Sequence, residues 1–360
     1  GEVKKVVSAR TLWVKLLQNR METGEPYLMF EDAVNADLPQ FQKDKGLRVH
    51  HSNLCSEITL ATNEERTAVC CLSSVNLEYY DEWSKVPAFI PDLIRMLDNV
   101  LTYFIANAPE QLERAKFSAM RERSLGLGAM GFHAYLQKNN MPFESVFASS
   151  VNYEMFKYIK TLAQAETERL AVERGACPDD DTCSVRNAHL LAVAPNASSS
   201  IICGNTSPSI EPYRANAYTQ KTKSGSHLQK NKYLEKVLEK YGRNDENTWK
   251  SIVTNKGSCQ HLEFLSDTEK EVFKTAVEIN QSWVIEHAAQ RQEFICQSQS
   301  VNLFFPPDVN KGELHNIHML AWAKNMKTLY YLRSEAISRA DNVSNKIKRE
   351  IIFEQQDCLS

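Results

Sequence analysis

Asn53-Leu54-Cys55-Ser56-Glu57 sets an amide, a thiol and a carboxylate at alternate positions within five residues. On an extended segment alternate side chains share one face, so the three would point the same way and could hold a sugar and do chemistry on it. Val49-His50-His51-Ser52 precedes the stretch and Ile58-Thr59-Leu60-Ala61 follows it, short apolar pieces that can enter a sheet or loop out of one. A lone buried cysteine more often behaves as a small hydrophobe. That plainer reading must also account for the Asn and the Glu beside it.

Around this stretch lie 360 residues, enough for one large domain or two ordinary ones with a sizeable core. Lys and Arg number 42 against 45 Asp and Glu, a net charge of −3, so no overall basic field points to nucleic acid or an acidic membrane. The nine cysteines form no CxxC and no small-domain disulfide spacing. That usage predicts reduced thiols and a cytoplasmic setting, with redox or radical chemistry open to a few of them. No His/Cys cluster has zinc spacing, so no metal is expected in this chain. The amphipathic run from Gly1 through Met21 lacks the apolar core of a secretory signal, and no apolar run is long enough to span a bilayer. A chain opening on Gly1 is expected to be a fragment or a processed piece.

Upstream of the opening stretch, Val6 to Met21 predicts a surface helix ended by Thr23-Gly24-Glu25-Pro26, and Tyr27-Leu28-Met29-Phe30 a short strand. Downstream, Thr67 to Leu72 predicts a strand carrying Cys70 and Cys71. Helices are expected over Pro87 to Ala108, Gln111 to Arg123 and Val151 to Arg174, the last stopped by Gly175. Gly126-Leu127-Gly128-Ala129-Met130-Gly131 matches GxGxxG, but the charged Arg121-Glu122-Arg123 precedes it where a dinucleotide site needs a strand. A small-residue patch for close packing is the favoured reading. Ala188 to Ala194 predicts a strand feeding Pro195-Asn196-Ala197-Ser198-Ser199-Ser200, a loop of hydroxyls and backbone N–H groups that can cradle an anion, although serine-rich turns without a ligand are commoner. Tyr218 to Gln229 reads as a mobile loop. Ser266-Asp267-Thr268-Glu269 is a capping box for a helix over Glu271 to Ala289. A helix over Lys311 to Lys324 and a last strand, Met326 to Leu332, complete the ordered part, followed by a charged tail that ends in Asp357-Cys358-Leu359-Ser360.

Asn-x-Cys-x-Glu, then Val69-Cys70-Cys71-Leu72-Ser73, a Pro-x-x-Ser-Ser loop and Lys-Thr-Leu-Tyr-Tyr near the end, in that order, resemble the large catalytic subunit of class I ribonucleotide reductase, of a phage or bacterial type. The resemblance implies an α/β fold, the C-terminal half of a ten-stranded α/β barrel with the radical cysteine on an internal finger loop. Residues 1–340 would be the barrel part and 341–360 a mobile tail with a redox cysteine. By the same resemblance Cys55 would be the thiyl-radical residue that takes the 3′ hydrogen of a ribonucleoside diphosphate. Glu57 would accept the 3′-hydroxyl proton and Asn53 would hold the substrate. Cys70 would be one of the two cysteines that reduce the 2′ carbon, with Cys71 where the family often has a hydroxyl residue. Ala197, Ser198 and Ser199 would take the phosphates. Tyr330 and Tyr331 would relay the radical, which on a regular strand requires a bend, since successive side chains there point to opposite faces. Two core tyrosines are the competing account.

The family's large subunit is longer. The counterparts of its nucleotide-binding regulatory regions, where ATP and dNTP effectors bind, of the first half of its barrel and of the cysteine that pairs with Cys70 would lie upstream. Half a barrel would expose a broad apolar edge. The expected partners are therefore an N-terminal half of the catalytic subunit, a radical-generating small subunit with a di-iron/tyrosyl radical cofactor, and thioredoxin or glutaredoxin. Cys358 would belong to the tail pair that re-reduces the active-site disulfide. A non-catalytic interaction protein with structural cysteines is the alternative, and a glycyl-radical or cobalamin-dependent relative a third reading.

Overall fold

The computed structural model describes residues 6–222 and 225–334 of the chain. Cys358 and the predicted tail lie outside the described residues.

Five extended segments run parallel and side by side. β2 (Cys71–Asn76) pairs with β3 (Leu125–Met130) over six residues. Leu127 bridges to Leu191, and Val193 bridges in turn to Gln299. The last of these segments continues into β6 (Leu303–Phe304), which pairs with β8 (Leu332–Arg333). Parallel neighbours need crossovers, which are made here by the helices Phe89–Asn107, Val146–Arg174, Gln281–Gln292 and Lys311–Ala323. The result is an α/β wall of the barrel type. Along it side chains alternate: Leu125, Leu127, Leu191 and Val193 join the main core under the helices, whereas Ala192 faces the other way with Ile58, Leu60, Ala68 and Cys70.

The glycines of the GxGxxG match are packing residues of β3. A Cβ on Gly128 would lie 2.4 Å from Ala192 O, and one on Gly126 would lie 2.9 Å from Cys70 Sγ. Only hydrogen fits where two backbones come this close.

Four expectations are corrected. The strand carrying Cys70 and Cys71 begins at Cys71, not at Thr67. Tyr218 to Gln229 is a β-hairpin, β4 (Ala217–Thr222) against β5 (Gly225–Lys230), whose antiparallel register outweighs its Gly/Ser content. The helix expected over Glu271 to Ala289 is two helices, Asp267–Val272 behind the predicted capping box and Gln281–Gln292. Between them Glu278 accepts from the Thr275 N–H and hydroxyl, and Asn280 caps the new start at Ser282 N, so local side-chain bonds displace the helical ladder. Finally, the strand expected over Met326 to Leu332 is interrupted. β7 (Thr328–Leu329) pairs antiparallel with β1 (Leu28–Met29), the chain turns at Tyr330 and Tyr331, and β8 follows.

Candidate active site

The stretch at residues 53–57 is a tight turn, not an extended segment. Ser56 N donates to Asn53 O (3.2 Å), Ile58 N donates to Asn53 Oδ1 (3.0 Å), and Ser56 takes a left-handed φ of 70°. Asn53 thus closes the loop with its side-chain oxygen while the rest of the residue is exposed. Cys55 stands half-buried at the tip. Glu57 is 2% exposed at the base, where Ser298 N donates to its carbonyl (2.9 Å). Burial raises the Glu57 carboxyl above its ordinary range, against hydrogen bonds from its own backbone, Asn53 and Ser300 that favour the charged form. Ser300 Oγ lies 3.3 Å from Glu57 Oε2 and 2.5 Å from Cys55 O, so one hydroxyl touches both ends of the turn.

Tyr330 Oη points at the thiol, 3.6 Å from Cys55 Sγ. The interruption after β7 makes this possible. Tyr330 N donates to Val301 O (2.8 Å) and Tyr331 N to Asn302 Oδ1 (3.1 Å), and the two successive rings end 4.4 Å apart at 57°. Tyr27 joins them, its centroid 4.6 Å from Tyr330 and 4.8 Å from Tyr331. The Arg333 guanidinium lies 3.8 Å from the Tyr331 ring. Burial pushes the Tyr330 phenol up, and its bond to Cys55 adds to this.

Cys70 and Cys71 point to opposite faces. Cys70 packs against Ile58, Leu60 and Ala192 on the side of the turn, whereas Cys71 packs into the core beneath the helices. Gln297 Nε2 donates to Cys70 Sγ (3.2 Å) and to Leu125 O (2.9 Å), and its Oε1 accepts from Thr59 N (3.3 Å). Burial pushes the Cys70 thiol well up, and the Gln297 bond opposes it.

Ala197 and Ser198 are exposed and Ser199 half-buried at the head of a four-residue helix, Ser199–Ile202. Asn196, at φ 50°, ties this loop to the wall through Ser74 Oγ (3.0 Å) and Ala129 O (3.3 Å). Among the described residues, no partner is found for the backbone N–H of Ala197 or Ser198. Of the other cysteines, Cys177 and Cys259 are buried, Cys183 and Cys203 are exposed, and Cys296 accepts from Leu190 N (3.0 Å) and Leu191 N (3.2 Å). No cluster of His, Cys, Asp and Glu able to hold a metal occurs among the described residues, and none of their helices is long and apolar enough to cross a membrane.

Sequence reasoning missed Ser300, Gln297 and Tyr27. Gln297-Ser298-Gln299-Ser300 was legible as four polar residues in a row ahead of the apolar Val301 to Phe305, and all four are buried. Tyr27 carried no local sign, because its neighbours come from the other end of the chain. A groove of about 780 Å³ lies between the helices Ala9–Thr23 and Lys311–Ala323, lined by Trp13, Leu17, Met21, Leu314 and His315 and by neither Cys55 nor Cys70.

Residues 1–182 and 180–332 match the family description "Ribonucleotide reductase, barrel domain". The chain is 47% identical over 361 residues to the ribonucleoside-diphosphate reductase large subunit of Invertebrate iridescent virus 3, covering 99% of this chain and 57% of that protein. It is 50% identical over 337 residues to a putative large subunit of the same name from Frog virus 3, covering 93% and 59%. The chain therefore spans less than two thirds of these relatives. Among solved structures it resembles the Actinobacillus ureae class Id ribonucleotide reductase alpha subunit, with a TM-score of 0.86 and 42% identity over 91% of this chain and 62% of the other.

Proposed function

The chain belongs to the ribonucleotide reductase barrel-domain family, and from that premise we propose that it is the catalytic part of a ribonucleoside-diphosphate reductase. In this reading it converts ribonucleoside diphosphates to 2′-deoxyribonucleoside diphosphates by thiyl-radical chemistry. The observation that carries the reading is the contact of Tyr330 Oη with Cys55 Sγ at 3.6 Å, two residues from the buried Glu57. A phenol against a thiol lets a hydrogen atom pass between oxygen and sulfur, and the rings of Tyr331 and Tyr330 lead to that point.

With the radical on Cys55, the sulfur takes the 3′ hydrogen atom of the ribose and becomes a thiol, then returns a hydrogen atom to that carbon at the end of the cycle, so that the thiyl radical is restored and can pass back along the tyrosines. Glu57, its carboxyl held above the usual range by burial, is suited to accept the 3′-hydroxyl proton. Asn53 orients that carboxylate and the substrate. Cys70, half-buried on the same side of the wall, supplies one of the two reducing equivalents for the 2′ carbon and closes a disulfide with a cysteine of the N-terminal half. Ala197, Ser198 and Ser199 take the phosphates on their N–H groups and hydroxyls. Partners follow from these roles. An N-terminal half completes the barrel and carries the effector sites for ATP and dNTPs. A small subunit holds the di-iron/tyrosyl radical cofactor, and thioredoxin or glutaredoxin restores the thiols, by way of Cys358. The place of action is the cytoplasm.

The test is reconstitution of this chain with an N-terminal half and a small subunit, and measurement of deoxynucleoside diphosphate formation. Cys55→Ser is expected to abolish product while leaving the melting temperature unchanged. Product formed at the unaltered rate would remove Cys55 from the chemistry and leave the plainer reading of structural cysteines.

A further inference from the structure

Tyr27 reaches the tyrosine pair from a distant part of the chain and is held there on several sides. β1 begins one residue later and pairs with β7, Leu28 opposite Leu329. Phe30 N donates to Lys327 O (2.9 Å) and Leu332 N to Gly24 O (3.1 Å), so the backbones on both sides of Tyr27 are tied to those around Tyr330 and Tyr331. The guanidinium of Arg20, 0% exposed, bonds to the carbonyls of Pro26 and Tyr330, the residues just before Tyr27 and Tyr331. These ties fix a triangle of three rings with centroids 4.4, 4.6 and 4.8 Å apart. Beyond it, Tyr27 Oη donates to Glu25 Oε1 (3.2 Å), and Glu25 is exposed.

This inference rests on the radical-relay reading above and asks where a proton goes. When Tyr331 gives up one electron, its phenolic proton becomes strongly acidic and must leave at once to a positioned acceptor. Between Tyr331, Tyr330 and Cys55 the proton can travel with the electron, because each group hands a hydrogen atom to the next. At the entry step the electron goes to another subunit, and the proton needs an acceptor of its own. We propose that Tyr27 and Glu25 are that acceptor: Tyr27 Oη receives the Tyr331 proton as its own proton passes to the Glu25 carboxylate, and the pair returns it when the radical leaves. The electron is taken by the one-electron oxidant of the radical-generating subunit, so charge and atoms balance. Burial keeps the Tyr27 phenol protonated in the resting state. Arg333 over the Tyr331 ring adds a positive charge that favours loss of that proton.

The experiment uses the reconstituted complex and three variants. Cys55→Ser serves as the control for the reading itself: if wild type makes product and this variant does not, the radical enzyme stands. Under that condition Tyr27→Phe, which keeps the ring and loses the hydroxyl, and Glu25→Gln, which changes an exposed side chain, are each expected to lower turnover about 100-fold, the size of one positioned proton-transfer group. Melting temperatures should not move. Fluorotyrosines of graded acidity at position 27 should tune the residual rate with their phenol pKa, which a purely packing role would not do. Turnover within twofold of wild type in either Tyr27→Phe or Glu25→Gln, with the control inactive, overturns the proposal while leaving the radical reading intact.

Discussion

The two faces of the parallel wall carry the same kinds of ionisable residue in opposite states. Behind it, charges are paired to completion. Asp98, 0% exposed, takes Arg123 at 2.7 Å, Arg174 at 3.1 Å and Asn187 at 3.1 Å, and Asp179 accepts two bonds from Arg66 and one from Arg121. In front of it, Glu57, Cys70 and Cys55 have few partners, and none of the ion pairs among the described residues involves them. Buried charges that are all paired hold elements together, while groups left short of partners keep the free valence that chemistry needs.

The largest effects should separate the faces cleanly. Tyr331→Phe on the front face is expected to stop product formation altogether and, because the ring and its contacts stay and only a hydroxyl is lost, to move stability by no more than about 1 kcal/mol. A normal rate would mean that the radical enters by another route. Asp98→Ala on the back face should do the reverse to the fold: Arg123, Arg174 and Arg186 lose their common partner, and a loss of about 3–5 kcal/mol is expected in denaturant titration. A loss under about 1 kcal/mol would show that the back face is wetter than its pairing implies.

Glu122 is the exception that sharpens the contrast, since it lies behind the wall yet its hydrogen bonds among the described residues are to the uncharged Gln42 (3.0 Å) and Ser118 (3.3 Å). Burial pushes its carboxyl up to about 7. The unfolded carboxyl releases its proton near 4.5, so between these values the folded chain binds more protons and its stability falls as pH rises, by about 3 kcal/mol in all. Glu122→Gln should flatten that window in melting curves taken from pH 4.5 to 7. Gly128→Ala, which forces a methyl to 2.4 Å from Ala192 O, should cost about 1–3 kcal/mol through backbone displacement. The smallest effect is expected at Ser300→Ala. Losing a bond to the Glu57 carboxylate raises that carboxyl further, so the acid limb of the activity profile should move to higher pH while the maximal rate changes little. An unmoved limb would mean that Glu57 is not the base that limits it.

Much of this was legible in the chain because it is local. The helices carry their periodicity and caps, the 266–269 capping box is intact, and the close-packing reading of the glycine run holds. The misreadings are also local in origin. The helix break at 273–280 is made by Thr275, Glu278 and Asn280 bonding to nearby backbone, and the 217–230 hairpin by register, neither of which shows in a hydrophobic pattern.

The sequence by itself determined which residues could react, since a thiol two places from an amide and from a carboxylate, and adjacent tyrosines near the end, are chemical facts that need no coordinates. Only the tertiary structure decided which of them meet. It turned Cys70 and not Cys71 toward the loop, bent the chain so that Tyr330 touches Cys55, and brought in Ser300, Gln297 and Tyr27 from far along the chain. The reason is that side-chain direction depends on strand phase and register, and these are set by burying one face of each strand against residues hundreds of positions away.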